Sequence, residues 1–247
     1  AEATHGTAVF TNMGGVDEGW FLGPASHAAF VLAKTEDLGS ETLVEEDNFA
    51  AALEWMDSLG VDLVSSSLGY SEFDEPDVSY TYKDMDGKTT IVTQASEIAF
   101  SKGIVTISSA GNEGNKSWKY ITAPSDGFNT LCVGAVDAAN QSAPFSSVGP
   151  SYDKRIKPEI VAQGVSCYHA VAYTEGYNYG GGTSFAAPLA SGIAAQLMSA
   201  YPHLKNTQVR RIIMEAGDHP EKPDITNYER GYGLLSGQRA LEYPNLN

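Results

Sequence analysis

Apolar and polar positions along this chain switch repeatedly between a helical and a strand rhythm. Phe49, Leu53 and Met56 recur at helical spacing, acids crowd the start of their segment, and Gly60 supplies a stop; a helix is predicted over residues 46–56. Residues 61–69 follow directly and read as a buried strand. The unit repeats as a helix over 94–101, with Gly103 as its stop, and a strand over 104–109. Residues 130–136 have the composition of a third strand of the same kind. Residues 184–201 are apolar almost all round and rich in small side chains, the pattern of a buried helix. Pro188 is acceptable in its first turn and Pro202 ends it. A further helix is expected over 207–215. Such alternation predicts an α/β fold of three layers, a mostly parallel central sheet flanked by helices.

Residues 72–90 fit neither rhythm. They are acidic and aromatic, with alternating Tyr80-Thr81-Tyr82 ahead of Asp86-Gly87, and predict an inserted hairpin turning at Asp86-Gly87. Asp84-Met85-Asp86-Gly87 shares a few positions with a calcium loop, but the remaining EF-hand ligands are missing, so a plain turn is the expectation.

Composition narrows the partners. The 247 residues, 42% hydrophobic and without repeat, low-complexity tract or linker, suit one domain spanning 1–247. With 31 acids against 15 bases the net charge is −16, a field that repels nucleic acid and anionic membranes. The same charge suits plain solubility, secretion, cationic peptide substrates or bound Ca²⁺, and selects none of them. Cys132 and Cys167 form neither a disulfide framework nor a metal cluster; two buried free thiols are expected. No apolar run approaches the roughly 18 residues of a membrane span.

Three separated segments carry candidate chemistry. Gly182-Thr183-Ser184 places a serine at the first turn of the buried helix, beside free amide donors able to hold negative charge on a carbonyl oxygen. Alone, it reads first as an N-cap serine. Asn112 follows a strand between Gly111 and Glu113-Gly114, where a tight turn would free its side-chain amide; the composition also suits an ordinary turn. His5 heads an apolar stretch and, taken singly, reads as structural.

Together and in this order, Thr4-His5-Gly6-Thr7, Ala110-Gly111-Asn112 and Gly182-Thr183-Ser184-Phe185-Ala186-Ala187-Pro188 resemble the signatures of the subtilisin-like serine proteases, the subtilases. Ser67-Leu68-Gly69, residues 133–136 and 145–150, Lys157-Pro158-Glu159-Ile160 and Gly231-Tyr232-Gly233 extend the resemblance over essentially the whole chain. The resemblance implies a subtilisin-like fold and a serine endopeptidase. Ser184 would be the nucleophile, His5 its general base, and Asn112 an oxyanion donor beside the Ser184 N–H. Ser67, Leu68 and Gly69 would pair with an extended substrate, and Ser109, Ala110 and Gly111 would wall the pocket for the residue before the scissile bond, with Glu113 and Thr122 near its floor. It also implies a cis bond at Ala123–Pro124. Protein and peptide substrates, a secreted or cell-surface location and no required cofactor follow from the same resemblance; a structural Ca²⁺ stays open.

Two departures stand out. The family's triad runs Asp, His, Ser, with the aspartate ending a strand well upstream of the histidine, whereas only four residues precede His5 here. Glu2 is the one carboxylate before His5 and has no strand to anchor it. The expectation is therefore a domain lacking its first, Asp-bearing strand, poorly stable and nearly inactive by itself, with its own cleaved N-terminal segment as a candidate partner. The loop between Gly14 and Gly23 is shorter than the calcium loop of the secreted bacterial enzymes and lacks its asparagines. The rival from another class is a subtilase-like binding or scaffolding domain that no longer cleaves. A nucleotide-binding reading of Gly180-Gly181-Gly182 fails for want of a G-x-G-x-x-G fingerprint.

Overall fold

A computed structural model describes residues 4–218 and 227–243 of the chain. Its centre is a four-stranded parallel sheet of β3 (Leu63–Ser66), β4 (Val105–Ser109), β5 (Leu131–Val136) and β6 (Ile160–Gln163), in the order β3-β4-β5-β6. Every position of β4 and β5 is buried, as parallel strands covered on both faces must be. Neighbouring residues Leu63 and Val64 face opposite ways. Leu63 packs into a cluster with Val105, Ile107, Leu131 and Leu197, while Val64 packs into one with Phe49, Leu53, Val92 and Ala99.

Those clusters define the outer layers. Helices α2 (Leu43–Ser58) and α3 (Ile91–Ser101) supply Phe49, Leu53, Val92 and Ala99 to one face. The other face carries α4 (Thr183–Ala200), α5 (Asn206–Glu215) and α6 (Gly237–Glu242). Ala186, Ala187, Ala190 and Ala194 are fully buried along α4, so its backbone lies close against the sheet. Truncating a fully buried neighbour such as Leu131, Ile160 or Leu197 to alanine would cost about 2–5 kcal/mol. Within this core, the buried Lys157 Nζ meets Glu159 Oε1 at 2.8 Å and donates to the Thr130 carbonyl at 2.9 Å. Arg210 reaches the same Glu159 oxygen at 2.8 Å, and Glu159 Oε2 accepts the Cys132 N–H at 2.9 Å.

The predicted elements form with shifted ends. Helix α2 starts at Leu43, because Glu45 accepts the Thr42 N–H at 3.2 Å and so caps the helix before its apolar stripe begins. Helix α3 starts at Ile91, where the Thr90 hydroxyl accepts the Thr93 N–H. Strand β3 stops at Ser66, and Ser67-Leu68-Gly69 leave the ladder. Pro188 lies in the second turn of α4 rather than the first, since the helix already begins at Thr183. Proline offers no N–H to the Ser184 carbonyl, and the Ser67 hydroxyl donates there instead at 2.8 Å.

The hairpin expected over 72–90 is absent: the segment is built of turns and a short 3₁₀ helix, Tyr82–Asp84. Its alternating tyrosines serve packing rather than strand pairing. Tyr80 donates to Glu46 at 2.5 Å, and Tyr82 stacks on Tyr120 with ring centroids 4.0 Å apart. The turn at Asp86-Gly87 does form: Asp86 Oδ1 accepts from the Lys88 and Thr89 amides, and Gly87 has φ +81°. Strand β6 and helix α6 were not foreseen, and neither were α1 (Thr4–Gly14), the hairpin β1 (Val16–Asp17)/β2 (Phe21–Leu22) and the hairpin β7 (Cys167–Ala170)/β8 (Tyr177–Gly180). The first hairpin occupies the loop between Gly14 and Gly23. Ala123–Pro124 is cis, as are Glu75–Pro76, Gly149–Pro150 and Lys157–Pro158. Cys132 and Cys167 are buried free thiols, with burial pushing their pKa values up to about 12 and about 11. Among the described residues, no helix is long and apolar enough to cross a membrane. Glu2 lies outside the described residues.

Candidate active site

The start of α4 and the ends of β3 and β4 meet at one side of the sheet. Gly182, at φ +147°, holds a conformation few side chains tolerate and swings the chain into α4, so that Ser184 sits in the first turn. The first amides of a helix have no acceptor within it. Here the Thr183 N–H donates to Asn112 Oδ1 at 2.9 Å, and the Phe185 N–H to the Gly182 carbonyl at 3.0 Å. The Ser184 N–H has no partner among the described residues and is free for a ligand.

Asn112 arrives from the other direction. After β4 the chain turns through Gly111 at φ +103°, and the Thr183 hydroxyl lies 3.1 Å from both the Gly111 carbonyl and Asn112 Oδ1. With its oxygen tied to Thr183 on the backbone and hydroxyl sides, the asparagine has one orientation. Its Nδ2 amide makes no hydrogen bond among the described residues. Thr183 was not singled out from the sequence; its place in Gly-Thr-Ser was the available signal.

Ser184 is 8% exposed and shares with Asn112 a cavity of about 250 Å³. Ser67, Leu68, Gly69, Ser109 and Gly111 line it too, as do Glu113 and Thr122. Ala110 does not: it is fully buried, packed with Ile121 and Cys132 behind the wall. Ser71, Thr183 and two acids that sequence reasoning passed over, Glu36 and Glu41, complete the lining. Both acids come from the loop ahead of α2, which offered no motif. Ser184 Oγ donates to the Ser67 carbonyl at 3.3 Å, reciprocating the Ser67 bond to the Ser184 carbonyl.

His5 is placed apart from that cavity's lining, in the first turn of α1. Ala8, one turn on along the same face, packs with Phe185 and Cys167, so α1 runs beside the residue following Ser184. Among the described residues, neither Ser184 nor any carboxylate hydrogen-bonds to the imidazole. The ring is exposed, yet the protein around it lowers its pKa below the ordinary 6.5 through desolvation, with no charge acting to raise it.

With this geometry in place the comparisons are specific. The model of the subtilase family matches residues 1–233. Subtilisin DY of Bacillus licheniformis is 32% identical over 240 residues, covering 96% of this chain and 77% of that protein. Among solved structures, sphericase superposes with a TM-score of 0.70 at 27% identity, over 94% of this chain and 77% of that one. The PatG macrocyclase, solved in complex with peptide, gives a TM-score of 0.75 at 22% identity, over 97% and 68%. The chain belongs to the subtilase family of serine proteases.

Proposed function

We propose that the protein is a serine endopeptidase in which Ser184 attacks, His5 takes and returns the proton, and Asn112 stabilises the oxyanion. The Asn112–Thr183 pairing carries this reading. By fixing the amide oxygen on the helix start, it leaves Nδ2 and the Ser184 N–H as two free donors around one hydroxyl. That is the arrangement a tetrahedral intermediate needs.

In the reaction, Ser184 Oγ adds to the scissile carbonyl carbon while its proton passes to the His5 imidazole. The C–N bond then breaks, and the departing amine takes that proton. Water, activated by the same imidazole, cleaves the acyl-serine ester and restores the hydroxyl. Before attack, Ser184 Oγ must release the Ser67 carbonyl and turn toward His5. The extended substrate pairs along Ser67-Leu68-Gly69 on one side and Ser109-Ala110-Gly111 on the other. Ala110 contributes its backbone there, since its side chain is buried.

The acid that orients His5 is an aspartate upstream of this sequence in the complete protein. Two observations support this: no carboxylate partners His5 among the described residues, and the edge of β3 away from β4 is unpaired there, open to a further strand. Without that acid the chain alone would turn over roughly 10⁴-fold more slowly. The chemistry requires no cofactor; substrates are proteins and peptides, its own N-terminal segment included as a bound partner, and similarity to the Bacillus subtilisins favours secretion. The test is hydrolysis of casein by the protein expressed from its complete gene, with Ser184→Ala as control. Cleavage abolished in the variant is the expected result. A folded protein with no activity in either form favours the binding-domain alternative.

A further inference from the structure

The cavity beside Ser184 has one-sided electrostatics. Glu36, Glu41 and Glu113 line it, and among the described residues no lysine, arginine or histidine does. Glu113 has a partner in Lys116 at 2.9 Å, but Glu36 and Glu41 cluster with another acid, Glu45, and have no basic partner among the described residues. Carboxylate oxygens of these three lie within 4.8 Å of one another. Close like charges are costly unless something offsets them.

Their hydrogen bonds show which one is left over. Glu45, buried in the first turn of α2, gives one oxygen to the Asp37 N–H and the other to the Thr42 N–H. Glu36 Oε1 accepts from the Tyr70 hydroxyl at 2.6 Å and the Thr35 hydroxyl at 2.8 Å. The Glu41 carboxylate has no hydrogen bond or ion pair among the described residues. Its backbone, however, is pinned: the Glu41 N–H donates to Asp74 Oδ2 at 2.9 Å, and its carbonyl accepts the Asp74 N–H at 2.7 Å. A free carboxylate is thus held at the cavity wall. Although the residue is exposed, partial desolvation of the carboxyl and repulsion from Glu45, Glu36 and Asp74 push its pKa up to about 7.

A second feature of the same cavity also lacks a partner. Thr122 is 4% exposed, and its Oγ1 makes no hydrogen bond among the described residues. This oxygen lies against Gly69 and Gly111, both cavity-lining, in space a side chain at either would claim. It lies buried against the glycines of that wall without a partner among the described residues, and such a buried hydroxyl is costly while unpaired.

We propose that this cavity selects peptide substrates by a lysine or arginine side chain, whose cationic head lies against Glu41 and Glu36. This rests on the endopeptidase reading above. An ammonium or guanidinium brings several N–H donors, which suits a wall made of acceptors. A calcium ion would need six to eight oxygens around it, and both Glu45 oxygens are already held by backbone amides. A substrate cation binds on arrival and leaves with product, so the free enzyme keeps the repulsion that binding relieves.

The test uses the protein expressed from its complete gene, with active sites counted by fluorophosphonate titration. Fluorogenic peptides are compared in pairs, arginine against neutral citrulline, at each position preceding the scissile bond, in EDTA. At one position arginine should raise kcat/KM by about tenfold or more. In Glu41→Gln or Glu36→Gln that ratio should fall toward one. Equal rates at every position, or a ratio that survives in both variants, would overturn the proposal. So would a preference present with Ca²⁺ and abolished by EDTA, which would assign the acids to a metal. Failure of the endopeptidase reading looks different: no titratable serine and no cleavage of any peptide.

Discussion

Asn112 Oδ1 accepts the backbone N–H of Thr183 at 2.9 Å, so the residue preceding Ser184 also aims the amide opposite it. The backbone half of that bond survives any substitution at 183, but the hydroxyl half does not. Asn112→Ala should lower kcat by about 10²–10³-fold, the range seen when subtilisin loses its own oxyanion-hole asparagine, with KM little changed. Thr183→Val should lower kcat less, through a mobile amide, and Thr183→Ser should restore it. Steady-state kinetics on one peptide checks all three.

Ser67 and Pro188 are coupled through the Ser184 carbonyl, which the proline cannot serve and the Ser67 hydroxyl does. Ser67→Ala should destabilise the protein by about 1–3 kcal/mol, the cost of a buried carbonyl left unpaired. Pro188→Ala supplies an N–H for that carbonyl, so the double variant should recover part of the loss. Urea midpoints across the double-mutant cycle measure this. Strict additivity would refute the coupling.

Much of this was legible from residue patterns, and the failures have physical causes. Strands β4 and β5 and helix α4 were readable because both faces of the sheet are covered, which demands near-continuous apolar runs. The segment 72–90 misled because alternating Tyr80 and Tyr82 imitate strand periodicity while packing against Glu46 and Tyr120. The start of α2 was missed because its cap lies ahead of its apolar stripe, in Thr42-Leu43-Val44-Glu45. Ser184 and Asn112, which line one cavity, were singled out through motif. Glu36 and Glu41 were not, since proximity across a loop leaves no spacing to read.

Lys157 is 1% exposed, and its ammonium is shared between Glu159 and the Thr130 carbonyl. Lys157→Met removes one cation and leaves Glu159 with Arg210 and the Cys132 N–H. The expected loss is about 3–5 kcal/mol. It should appear as a lowered denaturation midpoint with an unchanged slope.

Glu41 should make stability depend on pH in an unusual direction for an acid. Its folded pKa of about 7 lies above the ordinary 4.5, so between these values the folded state binds more protons than the unfolded. Stability contributed by this group is therefore full below the lower value and lost as pH rises through the upper. Glu41→Gln removes the repulsion, so it should raise Tm at pH 8 relative to the parent and do little at pH 4. Thermal melts at the two pH values check the sign. The arginine preference should weaken over the same window as the pH falls, because a protonated Glu41 offers no charge.

The central claim is that Ser184 is an activated nucleophile facing two free donors. It is tested most directly by treating the protein from its complete gene with a fluorophosphonate and mapping the adduct by peptide mass spectrometry. The account predicts one phosphonyl group on Ser184, formed much more slowly in Asn112→Ala and His5→Ala. A folded protein with no adduct on Ser184, or with one elsewhere, would contradict it.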